Sequence, residues 1–252
     1  MKKSFIIVLG IIIVFFACNK KDQSTSDKSS TPTYQDPTVP VGYNTGLSGA
    51  TCILKATYNI KLINNVIFKD SSAVANFHES SFSSIPLTYV KAGNVSLNTI
   101  SLSYDSIYKT YSMYSNFPNQ INGMQSWSVS GSGTVTPFSE SYQSNFPKYS
   151  GYNLLPDTVS KSAGFTLNIN GISNCQAGSY LTINTSGAGV YRSLTSNTMS
   201  IAFTSSDLAN LNPNQTLFIG VNLANSFSKE INGLNRGFSN IVYFTKHAYL
   251  KP

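Results

Sequence analysis

The chain of 252 residues is long enough for one or two domains at about 150 residues each. Only 11% of it is charged, with a net charge of +7, against roughly 25% charged in an average soluble protein, so hydroxyl and amide groups carry the polarity. With 15 Tyr and 15 Phe set among alternating apolar residues, the composition excludes an intrinsically disordered chain and a coiled coil and predicts many short strands.

The N-terminus opens with Lys2 and Lys3, runs through uncharged apolar residues from Phe5 to Phe16, and reaches Ala17 and Cys18. That run lies within the roughly 7 to 15 residues of a signal-peptide core and falls short of the about 20 that a helix needs to span hydrocarbon. Residues 1–17 are therefore expected to be a targeting segment. A small residue directly before a cysteine at the end of such a core, Phe15-Phe16-Ala17-Cys18, resembles the lipobox of bacterial lipoproteins. The resemblance implies a diacylglycerol on the Cys18 thiol, cleavage that makes Cys18 the first residue, and a place on the bacterial outer membrane, facing outward or toward the periplasm. Multiple acyl chains, at about 0.8 kcal/mol per buried methylene, hold a protein on a bilayer where one chain binds only reversibly.

From residue 18 to 48 the chain has three prolines and no apolar periodicity, and Lys20, Lys21 and Lys28 balance Asp22, Asp27 and Asp36. Such a segment builds no core and is expected to be a disordered tether that lets the folded body stand off the membrane.

Strand patterns fill the body. Val95 and Leu97, then Ile100, Leu102 and Tyr104, flank Asn98-Thr99, which predicts a tight hairpin. A strand carrying Trp127 runs into a glycine-serine break and a proline-rich aromatic stretch. A boundary is expected there, near Pro137, dividing an N-terminal β domain (49–136) from a C-terminal one (137–252); a single larger sandwich is the alternative. Further on, Phe165, Leu167 and Ile169 alternate with polar residues, as do Met199, Ile201 and Phe203. One helical turn is expected over Ser205 to Leu211, capped by Ser206 and stopped before Pro213. Leu217, Ile219, Val221 and Leu223 form the longest alternating run, residues 241–250 read as the terminal strand, and Asn232-Gly233 between them makes the two antiparallel neighbours. Short strands punctuated by turns, with a single helical turn before the penultimate strand, resemble Greek-key sandwiches. The expected fold is thus all-β: tandem immunoglobulin-like β-sandwich domains after the tether.

Little in the body points to catalysis. His78 and His247 are far apart, and neither has a second ligand at metal spacing. Seven acids, among them Asp70, Glu140 and Asp157, are scattered singly where a glycosidase needs a facing pair. No catalytic residue, cofactor or metal is expected. The basic residues are spread evenly, which excludes a nucleic-acid partner. Asp105-Ser106-Ile107 and Asp157-Thr158-Val159 resemble sites at which some diderm bacteria O-glycosylate exported proteins, which implies sugar on Ser106 and Thr158; an Asp before Ser or Thr is also ordinary turn chemistry. Cys52 and Cys175 remain as a pair in an oxidising compartment, but they fall in different expected domains, so free thiols are expected rather than a disulfide.

Aromatic residues gather in two places: Tyr108, Tyr111, Tyr114 and Trp127, and, in the junction, Tyr142, Phe146, Tyr149 and Tyr152. Such rings can stack on sugars or anchor an interface. The function expected is therefore non-enzymatic: a membrane-anchored surface binding or adhesion module whose partner is a glycan or an envelope protein. A structural part of an envelope complex and a polysaccharide-acting enzyme are the alternatives.

Overall fold

A computed structural model describes residues 47, 49–63, 66–79, 88–115, 121–169, 171–176, 178–186, 188–195 and 197–252. The expected signal segment 1–17, Cys18 and the tether, apart from Leu47, lie outside the described residues. Leu47 itself is buried at 2% exposure, so core packing reaches into the stretch expected to be tether.

The protein is all-β. In chain order the strands are β1 (Cys52–Ile63), β2 (Val66–Phe77), β3 (Val95–Leu97), β4 (Ile100–Ser101), β5 (Ser103–Asp105), β6 (Thr110–Ser115), β7 (Met124–Val129) and β8 (Phe138–Gln143). They continue with β9 (Lys148–Tyr149), β10 (Thr158–Ser160), β11 (Phe165–Asn168), β12 (Ile172–Ser173), β13 (Ser179–Thr185), β14 (Ala188–Leu194), β15 (Ser200–Phe203), β16 (Gln215–Ile231) and β17 (Leu234–Lys251).

The long hairpin β16–β17 is the spine. Its period-two alternation pairs Leu217 with Ala248 and Leu223 with Val242, and Asn232 and Gly233 close it with φ of 55° and 73°, the left-handed pair that a tight hairpin turn requires. On one side β16 pairs with β13, which pairs with β14. On the other, β17 takes β1 in parallel along Gly237 to Lys246 and β10 in parallel beyond it, at Tyr249 to Lys251. Outward from β1 the order is β2, β6, β5, which completes a nine-stranded sheet.

One face of this sheet carries both hydrophobic cores. The first joins Leu54, Ala73 and Phe238 of the large sheet to Leu97, Trp127 and Phe138 of a four-stranded antiparallel sheet ordered β4-β3-β7-β8. The second joins Leu181, Ile219 and Val242 to Leu167 and Phe203 of the β11–β15 pair and to Leu208 and Leu211 of the following turn. All described residues belong to one compact unit. The pairings do not divide into two immunoglobulin-like domains: one sheet takes strands from both sides of residue 137, although the two cores fall largely to either side of it.

The Asn98-Thr99 hairpin forms as β3–β4, with Ser96 opposite Ser101. The expected helical turn is instead a run of hydrogen-bonded turns over residues 205–210, and its cap is Thr204 rather than Ser206. The Asp207 carboxylate accepts from the Thr204 amide at 2.9 Å and hydroxyl at 3.1 Å, while the Asp207 amide donates back to that hydroxyl at 3.2 Å. This reciprocal bonding satisfies the donors at the start of the turn without a longer helix.

Candidate functional site

The seam between the two cores opens as a cleft of about 470 Å³ on the inner face of the large sheet. That volume falls within the roughly 300 to 1,000 Å³ of small-molecule sites. Its floor comes from three adjacent strands: Tyr58 and Ile60 of β1, Ile67 and Lys69 of β2, Val242 and Phe244 of β17. Strand alternation places these side chains on one face. It also separates Lys69 from its neighbour Asp70, which turns to the opposite face and there accepts from Asn59 at 2.6 Å and pairs with Lys61 at 3.2 Å.

The walls come from the junction that follows β8. Phe146, Lys148, Tyr149 and Tyr152 line the cleft there, together with Asn122, Asn145 and Asn174. Its aromatic rings hold one another in place: Tyr58 lies 6.3 Å from Phe146, Tyr149 meets Phe244 edge-on at 5.3 Å, and Tyr152 stacks on Phe244 at 5.9 Å and 17°. The main chain is fixed as well, since Asn225 donates to the Asn145 carbonyl at 3.0 Å and Tyr149 pairs across β9–β12 with Ile172.

Two features of the lining are chemical rather than structural. Tyr149 is 4% exposed and its hydroxyl has no hydrogen-bond partner among the described residues. Burial pushes that phenol up to about 12, so it is a neutral donor throughout the physiological range. Lys69 and Lys148 are exposed and make no ion pair among the described residues, and the described lining holds no carboxylate and no histidine.

A second hollow of about 440 Å³ lies at the end of β1 and β17, by Asp157, Lys246 and His247. Its buried Lys246 amino group already donates to the Leu155 carbonyl and pairs with Asp157 at 2.8 Å, so its charge serves the fold. Among the described residues no three His, Cys, Asp or Glu side chains gather as a metal site, and no helix is long and apolar enough to cross a membrane.

The aromatic residues singled out in the sequence divide. Phe146, Tyr149 and Tyr152 belong to the cleft, whereas Tyr111 and Trp127, each 1% exposed, are core. The Tyr111 hydroxyl accepts from the Ala92 amide at 2.8 Å and donates to the Gly93 carbonyl at 2.9 Å. Tyr108 and Tyr114 are exposed away from the cleft. Tyr58, Lys69, Lys148, Asn122 and Asn174 carry no sequence signal of their own; Lys148 sits in the junction itself, and Tyr58 and Lys69 reach its aromatics only through the pairing of β1 with β17 and with β2.

Ser106 stands exposed in the turn between β5 and β6, where the Asp105 carboxylate accepts from the amides of Ile107 at 2.8 Å and Tyr108 at 3.0 Å. Thr158 is exposed at the start of β10. Cys52 and Cys175 are free thiols, Cys52 in the floor of the first core and Cys175 at the margin of the second.

No known protein family matches the chain, and no curated protein matches it in sequence. Among solved structures, one chain described as "Structural insight into host cell surface retention of a 1.5-MDa bacterial ice-binding adhesin" aligns with 78% of this chain and 65% of its own, at 14% identity and a TM-score of 0.22. The chain thus spans less than two thirds of that one, and a likeness so loose carries no argument about fold or function.

Proposed function

We propose that the protein is a lipid-anchored binding module of the bacterial envelope, which retains a glycan or a protein segment in the seam cleft. The reading is supported above all by the cleft lining, which holds aromatic rings and side-chain amides and, among the described residues, no carboxylate to act as acid, base or nucleophile. Aromatic and amide side chains recognise polar partners without formal charge. In this reading Cys18 holds the chain on the outer membrane and the segment to residue 48 gives the cleft its reach.

Two measurements test the two halves. The chain from Asn19 to Pro252, applied to a glycan array, is expected to give a defined set of hits that Tyr152→Ala removes without loss of the β circular dichroism signal. Hits that survive Tyr152→Ala would place recognition elsewhere. For the anchor, Cys18→Ala is expected to release the protein from membrane fractions, and unaltered lipid labelling of that variant would sink it.

A further inference from the structure

We propose that the seam cleft takes an acidic saccharide, a sugar ring bearing a carboxylate, with Lys69 and Lys148 facing the acid group; this rests on the binding role given above. Charge placement carries the inference. Four of the basic side chains, Lys61, Arg192, Lys229 and Lys246, are paired with carboxylates, and each of those pairs lies outside the cleft lining. Lys69 and Lys148 converge on the cleft from different elements, β2 and β9, and meet no acid there. The acid nearest in sequence, Asp70, is turned to the opposite face by strand alternation and is occupied by Asn59 and Lys61. The described lining therefore carries two lysines and no acid, and the cleft is locally cationic.

The other lining groups narrow the anion. A phosphate site would draw on a helix N-terminus or an arginine fork, and the described lining holds no arginine and only the short 3-10 turn Gly151–Leu154. Tyr58, Phe146 and Tyr152 instead line the cleft with aromatic rings, the group that packs on the C–H face of a pyranose. The side-chain amides of Asn122, Asn145 and Asn174 make no hydrogen bond to described residues, which leaves both donors and acceptors for ring hydroxyls. Carboxylate and sugar ring together use every one of these groups.

Calorimetric titration of the chain from Asn19 to Pro252 with oligomers of galacturonate, glucuronate and mannuronate, each against its carboxyl-methylated counterpart, tests the inference. At least one acidic oligomer is expected to bind about three- to tenfold more tightly than its neutral ester, the advantage open to two exposed charge pairs. That advantage should collapse between 50 mM and 500 mM salt, roughly the range over which screening shortens from beyond 10 Å toward 4 Å. Lys69→Gln and Lys148→Gln are each expected to weaken the acidic oligomer while leaving the ester unchanged, and Tyr152→Ala to weaken both. Equal binding of acid and ester, or full displacement by inorganic phosphate at the same concentration, overturns the acidic-saccharide assignment and leaves a neutral-glycan or simple anion site. Failure of every oligomer, acidic and neutral, with the β spectrum intact, overturns the glycan reading itself.

Discussion

Under the four-stranded sheet the floor sets the small side chains Cys52, Ala56, Ala73 and Ala75 among Leu54, Phe77 and Phe238, and the large rings of Trp127 and Phe138 pack against them from the cover. Toward the other end of the same face the floor is Leu181, Ile183, Leu217, Ile219 and Val221, and the cover is mostly turns and two-stranded ribbons. Polar contacts differ in the same sense. In the first core Gln125, 0% exposed, donates to the Ile121 carbonyl at 3.0 Å and to Asn240 at 2.9 Å and accepts from the Tyr142 hydroxyl at 2.7 Å, tying both layers together. Arg236, 2% exposed, donates to the hydroxyls of Thr51 at 2.7 Å and Thr136 at 3.0 Å and lies over the Phe138 ring at 4.7 Å. Among the described residues the second core is tied to its cover by Lys246, which donates to the Leu155 carbonyl, and by the partly exposed pair of Arg192 with Asp207. Aliphatic burial is non-directional, whereas a buried hydrogen bond is satisfied in one arrangement only. Sheet laid on sheet therefore has its register set by buried polar groups, and irregular chain laid on sheet is held more by volume, with its polar ties nearer the margin.

Because β16 and β17 run through both cores, the two should unfold together. Trp127→Ala in the first is expected to cost about 3 to 5 kcal/mol and Leu217→Ala in the second about 2 to 5 kcal/mol. Both should shift one cooperative transition, followed in denaturant by circular dichroism and tyrosine fluorescence. Two separated transitions, each moved by only one of the variants, would mean that the spine does not couple the cores.

The cysteines distinguish the cores by chemistry. Burial raises the Cys52 thiol from 9.0 to about 11, and burial also raises the half-exposed Cys175. A folded-state value above the unfolded one adds stability that is whole below pH 9 and is lost as the pH rises through about 11. The Cys52 contribution amounts to roughly 2 to 3 kcal/mol. Wild type should therefore lose more stability between pH 9 and 11 than Cys52→Ala does, and alkylation of the native protein should mark Cys175 well before Cys52. Equal labelling of both at neutral pH would open the first core to solvent.

Gln125→Leu removes the donor to Asn240 and Ile121 and the acceptor of Tyr142, at an expected cost of about 1 to 3 kcal/mol for groups left buried without partners. Adding Asn240→Leu should recover part of that loss, because it removes one of the orphaned groups. In the second core Lys246→Met is expected to cost less, since the freed Asp157, 77% exposed, returns to water. A larger loss at Lys246 than at Gln125 would reverse the assignment of which core depends on polar register.

The strands legible in the sequence are those with branched or aromatic residues at every second position: β16, β17, β11 and β15, and the β3–β4 hairpin with its turn. β1 and β2, each of 12 residues, were hidden because their inward positions hold Cys52, Ala56, Ser71, Ala73 and Ala75, which give little hydrophobic contrast with the outward Thr57, Ser72 and Asn76. The parallel pairing of Ile53 with Gly237 joins residues at opposite ends of the chain, and alternation marks a strand without naming its partner. That gap is also why only half the cleft was visible. The junction aromatics stood out, but Tyr58 and Lys69 reach them only through the hidden strands.

The smallest expected effect compares the same turn in the two halves of the fold. Asn98-Thr99 closes β3–β4 with φ of 49° and 69°, and Asn232-Gly233 closes β16–β17 with φ of 55° and 73°. Left-handed backbone costs a residue with a Cβ about 1 to 2 kcal/mol, and glycine avoids that strain but loses about 0.5 to 1 kcal/mol more conformational entropy on folding. The difference predicts that Thr99→Gly stabilises the protein by roughly 0.5 to 1 kcal/mol and that Gly233→Ala destabilises it by the same amount. Contacts do not cloud either change, since Thr99 is exposed and a Cβ at Gly233 meets nothing within 4 Å. Opposite shifts of the denaturation midpoint at unchanged slope are the expected result. Destabilisation by Thr99→Gly would mean that the threonine makes a contact worth more than the strain, and would place a specific side-chain interaction at the tip of the first core's covering sheet.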